Sequence, residues 1–88
     1  MCELYQIMSK ILYDRAEVQK TANYLLKRTD VKNGFNLEIL KNNKKIMFVD
    51  YSEKGGVISN ISATQEEIDV VMNELNSCLS HKSYLKDA

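Results

Sequence analysis

The last third of the chain carries apolar residues at spacings of three and four positions, the period of one face of an α-helix. These residues are Ile68, Val71, Met72, Leu75, Cys78 and Leu79. Two overlapping capping boxes precede all of them. Ser62 stands three residues before Gln65, and Thr64 stands three residues before Glu67. The pattern predicts an amphipathic helix within residues 62–85.

Residues 2–28 also show a helical period, and the sequence leaves their organisation open. A stripe of apolar residues includes Leu4, Met8, Ile11, Val18, Ala22 and Leu25. One interpretation is a single helix of about 25 residues. In a second interpretation, a short helix is followed by a helix over 14–28, because Asp14 and Glu17 have the spacing of a capping box. In a third, the helix starts near Ser9 and residues 1–7 form an extension.

The period changes to two in the middle of the chain, as it does in β-strands. Three predicted strands cover residues 35–40, 45–51 and 57–61. Asn42 and Asn43 tolerate the positive φ of a two-residue hairpin turn, and residues 52–56 form the second turn. The sequence therefore predicts an α+β fold of order α-β-β-β-α. A three-stranded antiparallel meander is flanked by an N-terminal and a C-terminal amphipathic helix, in one small globular domain over 1–88 with 86–88 frayed.

The first turn also decides which strand residues share a face, since directly opposed residues do so. Counting outward from the turn pairs Leu37 with Phe48. One face then holds Phe35, Leu37, Ile39, Ile46 and Phe48. If the second turn has four residues, Tyr51 faces Ile58, and the other face holds Leu40, Met47, Val49, Tyr51 and Ile58. The middle strand is thus apolar on both sides, although a sheet with one face in water should alternate apolar and polar residues.

Something must therefore cover the second face, and two arrangements do so. In the first, the helices lie on opposite sides of the sheet and close the monomer. In the second, both helices lie on one side and the other face binds another protein or a second copy of the chain. The predicted partner-binding residues are then Leu40, Met47, Val49, Tyr51 and Ile58. Tyrosine and methionine are enriched at such interfaces.

The chain offers few residues for chemistry. His81 is the only histidine, and it follows Cys78 by three positions. The apolar stripe places Cys78 in the core, so no catalytic pair is expected. Cys2 and Cys78 are too far apart in the chain for a metal motif, and the glycine pair near residue 55 is no phosphate-binding loop. We expect no enzyme activity, no metal and no cofactor.

The net charge and the hydropathy indicate which partners and which cellular location to expect. Twelve basic side chains balance twelve acidic ones, whereas nucleic-acid-binding domains usually carry a basic excess. No apolar run approaches the length of about 18 residues that spans a membrane. The N-terminus has no signal-peptide pattern. A cytoplasmic protein is expected.

These features predict a small non-catalytic binding module. It acts as a stoichiometric regulator or inhibitor by binding another protein. The many lysine, asparagine and isoleucine residues are typical of an AT-rich source, so a bacterial or phage-encoded protein is expected. Small phage-borne inhibitors with helix-flanked three-stranded sheets provide a fold-level analogy.

Nucleic-acid binding is the alternative. The order α-β-β-β-α resembles the topology of double-stranded-RNA-binding domains, without their sequence motifs. The resemblance implies phosphate contacts at the N-terminus of the last helix, but the corresponding stretch here contains Glu66 and Glu67. In the first hairpin, Lys41, Lys44 and Lys45 are the candidate phosphate contacts. They predict weak, salt-sensitive binding.

Overall fold

Five strands, and not three, form the sheet of this protein. The computed structural model describes residues 3–52 and 55–81, with side chains as far as Ser77. The helices are α1 (Glu3–Tyr13) and α2 (Gln65–His81), and the strands are β1 (Val18–Lys20), β2 (Tyr24–Val31), β3 (Gly34–Lys41), β4 (Lys44–Ser52) and β5 (Gly55–Asn60). Neighbouring strands are antiparallel, and the sheet order β1-β2-β3-β4-β5 follows the chain. The predicted α+β class is confirmed, and the three-stranded meander is corrected to five strands.

The two additional strands lie where the sequence predicts a helix over 14–28. In β2 every second side chain from Tyr24 to Arg28 is buried, which is the period of a strand. Arg28 is only 5% exposed, and a charged residue at an inward position hides this period from a hydropathy pattern. Helix α1 ends at Tyr13, so the helix over 14–28 and the single long helix are both wrong. Residues 3–7 belong to α1 and do not form an extension.

Both helices cover the same face of the sheet. The Arg28 guanidinium donates to the carbonyl of Ile11 in α1 (2.7 Å), and the Tyr51 hydroxyl donates to the carbonyl of Leu75 in α2 (3.4 Å). The strand register puts Arg28 and Tyr51 on one face. The two helices also contact each other. The arrangement with the helices on opposite sides of the sheet is therefore wrong.

One hydrophobic core fills the space between this face and the helices. Its buried residues are Leu4, Ile7, Met8, Ile11, Leu12, Tyr24, Leu26, Phe35, Leu37, Ile39, Ile46, Met47, Val49, Tyr51, Val71 and Leu75. Each large apolar side chain contributes roughly 1.5–3 kcal/mol when it is fully buried. The strand residues in this set come from β2, β3 and β4, while β1 contacts α1 and Ile58 of β5 packs against the core from the edge of the sheet.

A β-bulge decides which residues of β4 face the core. The predicted two-residue turn is confirmed, and Asn42 and Asn43 have φ values of 52° and 68°. Beyond the turn the register shifts, because Ile39 pairs with Met47. Ile46 is thereby left as an extra residue of β4. A one-residue slip of this kind exchanges the two faces of the strand beyond it.

The bulge reverses the predicted faces of β4. The covered face presents Met47, Val49 and Tyr51, and the opposite face presents Phe48, Asp50 and Ser52. The predicted pairing of Leu37 with Phe48 is wrong, since Leu37 pairs with Val49. The prediction that the middle strand is apolar on both sides is also wrong. Beyond Phe48 its second side is polar.

The last strand begins earlier than the sequence predicts. Ser52 pairs with Gly55, so β5 includes both glycines of the predicted second turn. Ile58 does not face Tyr51, because Tyr51 pairs with Gly56. A Cβ at Gly56 would stand 2.5 Å from Cδ1 of Tyr51. The absence of a side chain at Gly56 therefore leaves room for the Tyr51 ring in the core.

Helix α2 begins with one of the two predicted capping boxes. The Thr64 backbone N–H donates to Oε1 of Glu67 (2.8 Å), and the Glu67 N–H donates to the Thr64 hydroxyl (3.2 Å). The helix ends at His81. The predicted roles of the Cys78 and His81 side chains, and the predicted fraying of 86–88, lie outside the described residues.

Candidate functional site

The face of the sheet opposite the helices is not covered by any element within 3–52 and 55–81. We call it the open face. Its side chains are Val18 and Lys20 of β1, Leu25, Lys27, Thr29 and Val31 of β2, Asn36, Glu38 and Leu40 of β3, Lys45, Phe48, Asp50 and Ser52 of β4, and Val57 and Ser59 of β5. The register groups them, because residues that pair directly point to the same side.

Three apolar side chains lie close together on the open face, one on each of the three inner strands of the sheet. Leu25 pairs directly with Leu40, and Phe48 lies on β4, diagonal to Leu40. All three are half-buried by their neighbours. We call them the central patch. Aromatic residues are enriched at protein interfaces, and the buried centre of an interface is more apolar than its rim.

Charged residues lie directly beside the central patch. Nζ of Lys45 lies 2.8 Å from Oε2 of Glu38, and Lys27 is the cross-strand partner of Glu38 on β2. The hydrogen bond from Lys45 lowers the pKa of Glu38 and outweighs its partial burial, while the charges of Lys45 and Lys27 add to the effect. Lys20 is the direct cross-strand partner of Leu25, and Asp50 lies two residues beyond Phe48 on β4. Apolar residues bordered by charged ones occur at protein-binding surfaces.

The structure does not bring the five predicted partner-binding residues together. Met47 and Val49 are fully buried and Tyr51 is 3% exposed, all beneath the helices. Ile58 is half-buried on that same side, and only Leu40 lies on the open face. These five residues do not form one exposed surface, because the bulge turns β4 over.

The sequence reasoning misses Leu25 and Phe48. Leu25 lies in the segment interpreted as helix, and Phe48 is assigned to the wrong face. One signal could have found the second of them. From Met47 to Ser52 apolar and polar residues alternate, and Phe48 is the exception. In a strand, this alternation puts Phe48 on the same side as the polar Asp50.

The three candidate phosphate contacts lie on two different faces. Nζ of Lys41 is 3.1 Å from Glu67 on the helix side, whereas Lys45 forms its ion pair with Glu38 on the open face. Lys44 is exposed and pairs across the turn with Lys41. Carboxylates thus partly neutralise two of the three lysines. The hairpin does not present all three charges to one row of phosphates.

A buried carboxylate on the helix side is stabilised within the chain. The Tyr24 hydroxyl donates to Oε2 of Glu67 (2.5 Å). Burial alone raises the pKa of Glu67, but the hydrogen bonds from Tyr24, the Thr64 N–H and Lys41 outweigh it and lower the pKa. These contacts connect β2, β3 and α2, so the cluster serves the fold.

Arg28 has a similar structural role at the other end of the helix layer. Its guanidinium lies 2.9 Å from Asp30 and 4.3 Å from the centre of the Phe35 ring. The same group donates to the carbonyl of Ile11 near the C-terminal end of α1, where helix carbonyls lack partners in the helix. The buried charge therefore attaches α1 to the sheet.

Neither a metal site nor a membrane span is found in the described part of the chain. Its His, Cys, Asp and Glu side chains form no group that could hold a metal ion. None of its helices combines the length and the hydropathy needed to cross a membrane. Comparisons with protein-family models, with curated proteins and with solved structures found no match. The open face is therefore the feature from which we infer a function.

Proposed function

We propose that this chain is a small non-catalytic module that binds another protein through the open face. One observation carries the proposal: both helices lie on the other side of the sheet, so the central patch of Leu25, Leu40 and Phe48 points outward. Apolar surface that leaves water contributes about 25 cal/mol per Å². A partner that covers the patch gains this free energy, and the charged rim fixes its orientation.

The charge of the open face favours a protein partner over a nucleic acid. It carries Glu38 and Asp50 as well as lysines, and Lys45 is already bonded to Glu38. Phosphate backbones attract unopposed positive charge. Single strands stack on several aromatic side chains, but Phe48 is the one aromatic residue that the described strands place on this face. A stoichiometric regulator or inhibitor acts by occupying a surface of its partner, which needs no chemical step.

Affinity capture from extracts of the organism that encodes the protein tests this proposal. Three baits are compared: the natural chain, Phe48→Lys and Tyr5→Lys. Phe48→Lys places a charge in the central patch. Tyr5→Lys is the matched control, because Tyr5 is 45% exposed on α1, in the helix layer. Circular dichroism checks that both variants fold.

We expect a protein that binds the natural chain and Tyr5→Lys and is lost from Phe48→Lys. The purified partner should then form a complex of fixed stoichiometry with the natural chain. A partner that Tyr5→Lys loses and Phe48→Lys retains would place the binding surface on the helices. Release of the bound material by nuclease would favour the nucleic-acid alternative.

A further inference from the structure

β5 is an edge strand, and no described strand lies beyond it. The Ile61 N–H donates to the carbonyl of Ile46 (2.9 Å), which sets the alternation of hydrogen bonds between β4 and β5. By that alternation, the backbone N–H and C=O groups of Gly56, Ile58 and Asn60 point away from β4. Such a row of donors and acceptors is a template for a further strand.

β5 lacks the protection that the other edge of the sheet has. β1 has three residues and ends in Lys20. β5 has six residues and is the one strand of the five described that contains no charged residue. Edges are usually protected by short strands, charges, prolines or bulges. An unprotected edge of this length is a suitable site for another strand to pair with.

Apolar side chains lie on both sides of this edge. Val57 is 66% exposed on the open face, and Ile61, just after β5, is 57% exposed. On the helix side, Ile58 and Met72 line a shallow groove between β5 and α2, and Met72 is 46% exposed. A strand added here therefore gains apolar contacts in addition to backbone hydrogen bonds.

We propose that β5 of a second copy of the chain occupies this edge, so that the protein is a homodimer with one continuous sheet. Around a two-fold axis, an antiparallel strand pairs with its own copy, so that only the residue on the axis meets itself and the residues before it meet the residues after it. Ile58 is the middle one of the three residues whose backbone N–H and C=O groups point away from β4. When Ile58 pairs with its copy, Gly56 pairs with Asn60 of the second copy. A charge on β5 would come close to the same charge of the second copy, and β5 has none. The edge is complementary to itself.

The two-fold axis runs perpendicular to the sheet in such a dimer, so both helix layers lie on one side. Met72 of each copy then lies close to the axis, on the side of the paired Ile58 residues, and loses its exposure. The two open faces join into one surface on the opposite side. The dimer does not require the open face to bind a partner, so this inference is independent of the proposed function.

The mass of the full chain in solution, measured by light scattering over micromolar to millimolar concentrations, tests the dimer. The double variant Val57→Lys with Ser59→Lys places lysines opposite lysines, because position 57 faces position 59 of the second copy. The monomer should accept the lysine at position 57, because its cross-strand partner is the acidic Asp50. Val31→Lys is the matched control, an open-face valine that is 46% exposed and lies away from β5.

We expect the natural chain and Val31→Lys to reach twice the mass of one chain. The double variant should keep the mass of a single chain at all concentrations. Circular dichroism compares their folding. Met72→Glu is a second variant that charges the helix side of the edge, and we expect it to weaken the dimer as well. In the natural chain, hydrogen exchange of the Gly56, Ile58 and Asn60 amides should slow as the concentration rises.

Three results would overturn the inference. The first is a natural chain that stays monomeric at millimolar concentration. The second is a dimer that persists in both the double variant and Met72→Glu, or one that Val31→Lys disrupts, because the contact would then lie elsewhere. The third is a dimer in which the Ile58 amide exchanges as fast as it does in the dilute protein.

Discussion

The hydroxyl of Tyr24 donates a 2.5 Å hydrogen bond to Oε2 of Glu67 and ties β2 to the first turns of α2. The carboxylate also accepts the Thr64 N–H and lies 3.1 Å from Nζ of Lys41. Three donors from different parts of the chain therefore converge on one buried charge. Hydrogen bonds to ionised groups are the stronger ones, so this contact holds the start of α2 against the sheet.

Removing the Tyr24 hydroxyl should measure that contact. In Tyr24→Phe the ring stays and the hydrogen bond to Glu67 is lost, so we expect the free energy of unfolding to fall by roughly 1.5–3 kcal/mol. Urea denaturation followed by circular dichroism gives the value. Tyr5→Phe is the control, because Tyr5 is exposed on α1. Equal losses in the two variants would contradict the role of this bond.

Glu67 should make the stability depend on pH. Burial raises the pKa of Glu67, but its hydrogen bonds outweigh burial, so the pKa is lowered in the folded chain. A carboxyl with a lowered folded pKa stabilises the protein above its unfolded pKa and loses this effect as the pH falls through the folded pKa. We expect Glu67→Gln to lower the free energy of unfolding most at neutral pH, and progressively less as the pH falls below 4.5, the ordinary pKa of the carboxyl group. Denaturation at a series of pH values measures this, and a pH-independent difference would contradict it.

Glu74 should have the opposite effect on stability. The residue is 8% exposed on α2, and burial raises the pKa of Glu74. Its ionised form is thus less favourable in the folded chain than in the unfolded chain, and the penalty disappears below the unfolded pKa. We expect Glu74→Gln to raise the free energy of unfolding at neutral pH and to have no effect in acid. Glu66→Gln, an exposed position on the same helix, should show no such gain.

The buried charge of Arg28 should be essential to the fold. Arg28→Met keeps most of the side-chain volume but removes the donor to the Ile11 carbonyl and the cation beside Asp30. We expect a loss of about 3 kcal/mol, because a buried ion pair then lacks one partner. Lys27→Met is the control on the exposed side of the same strand. Thermal unfolding of the two variants compares them, and similar melting temperatures would contradict the prediction.

Gly34 should tolerate no side chain. A Cβ at this position would lie 2.0 Å from the carbonyl oxygen of Tyr51, a backbone atom of the neighbouring strand. We expect Gly34→Ala to cost about 3 kcal/mol. Gly56→Ala should cost less, because its Cβ would meet the ring of Tyr51, which can shift. Urea denaturation ranks the two variants, and the reverse order would contradict this account.

The correctly predicted parts of the fold depend on residues close together in the chain. Thr64 and Glu67 are three positions apart, and their side chains form the capping box that starts α2. Asn42 and Asn43 adopt positive φ in the turn between β3 and β4. Both signals are local, so the sequence contains what is needed to interpret them.

The parts that were not predicted depend on contacts distant in the chain. Arg28 is acceptable at a buried position because α1 supplies a carbonyl at Ile11, and the sequence of β2 does not reveal that partner. The bulge at Ile46 has no marker in its own residue type, although it decides that Phe48 faces outward. The central patch therefore could not be assembled from the sequence, since it needs both the strand assignment of Leu25 and this shift of register.

The order of the strands bears on how the chain folds. Each strand pairs only with its neighbours in sequence, so every hairpin closes a short loop at small entropic cost. Helices α1 and α2, in contrast, contact each other across almost the whole chain. Contacts between nearby residues form faster than contacts between distant ones. We therefore expect the hairpins of the meander to form before the two helices join over it.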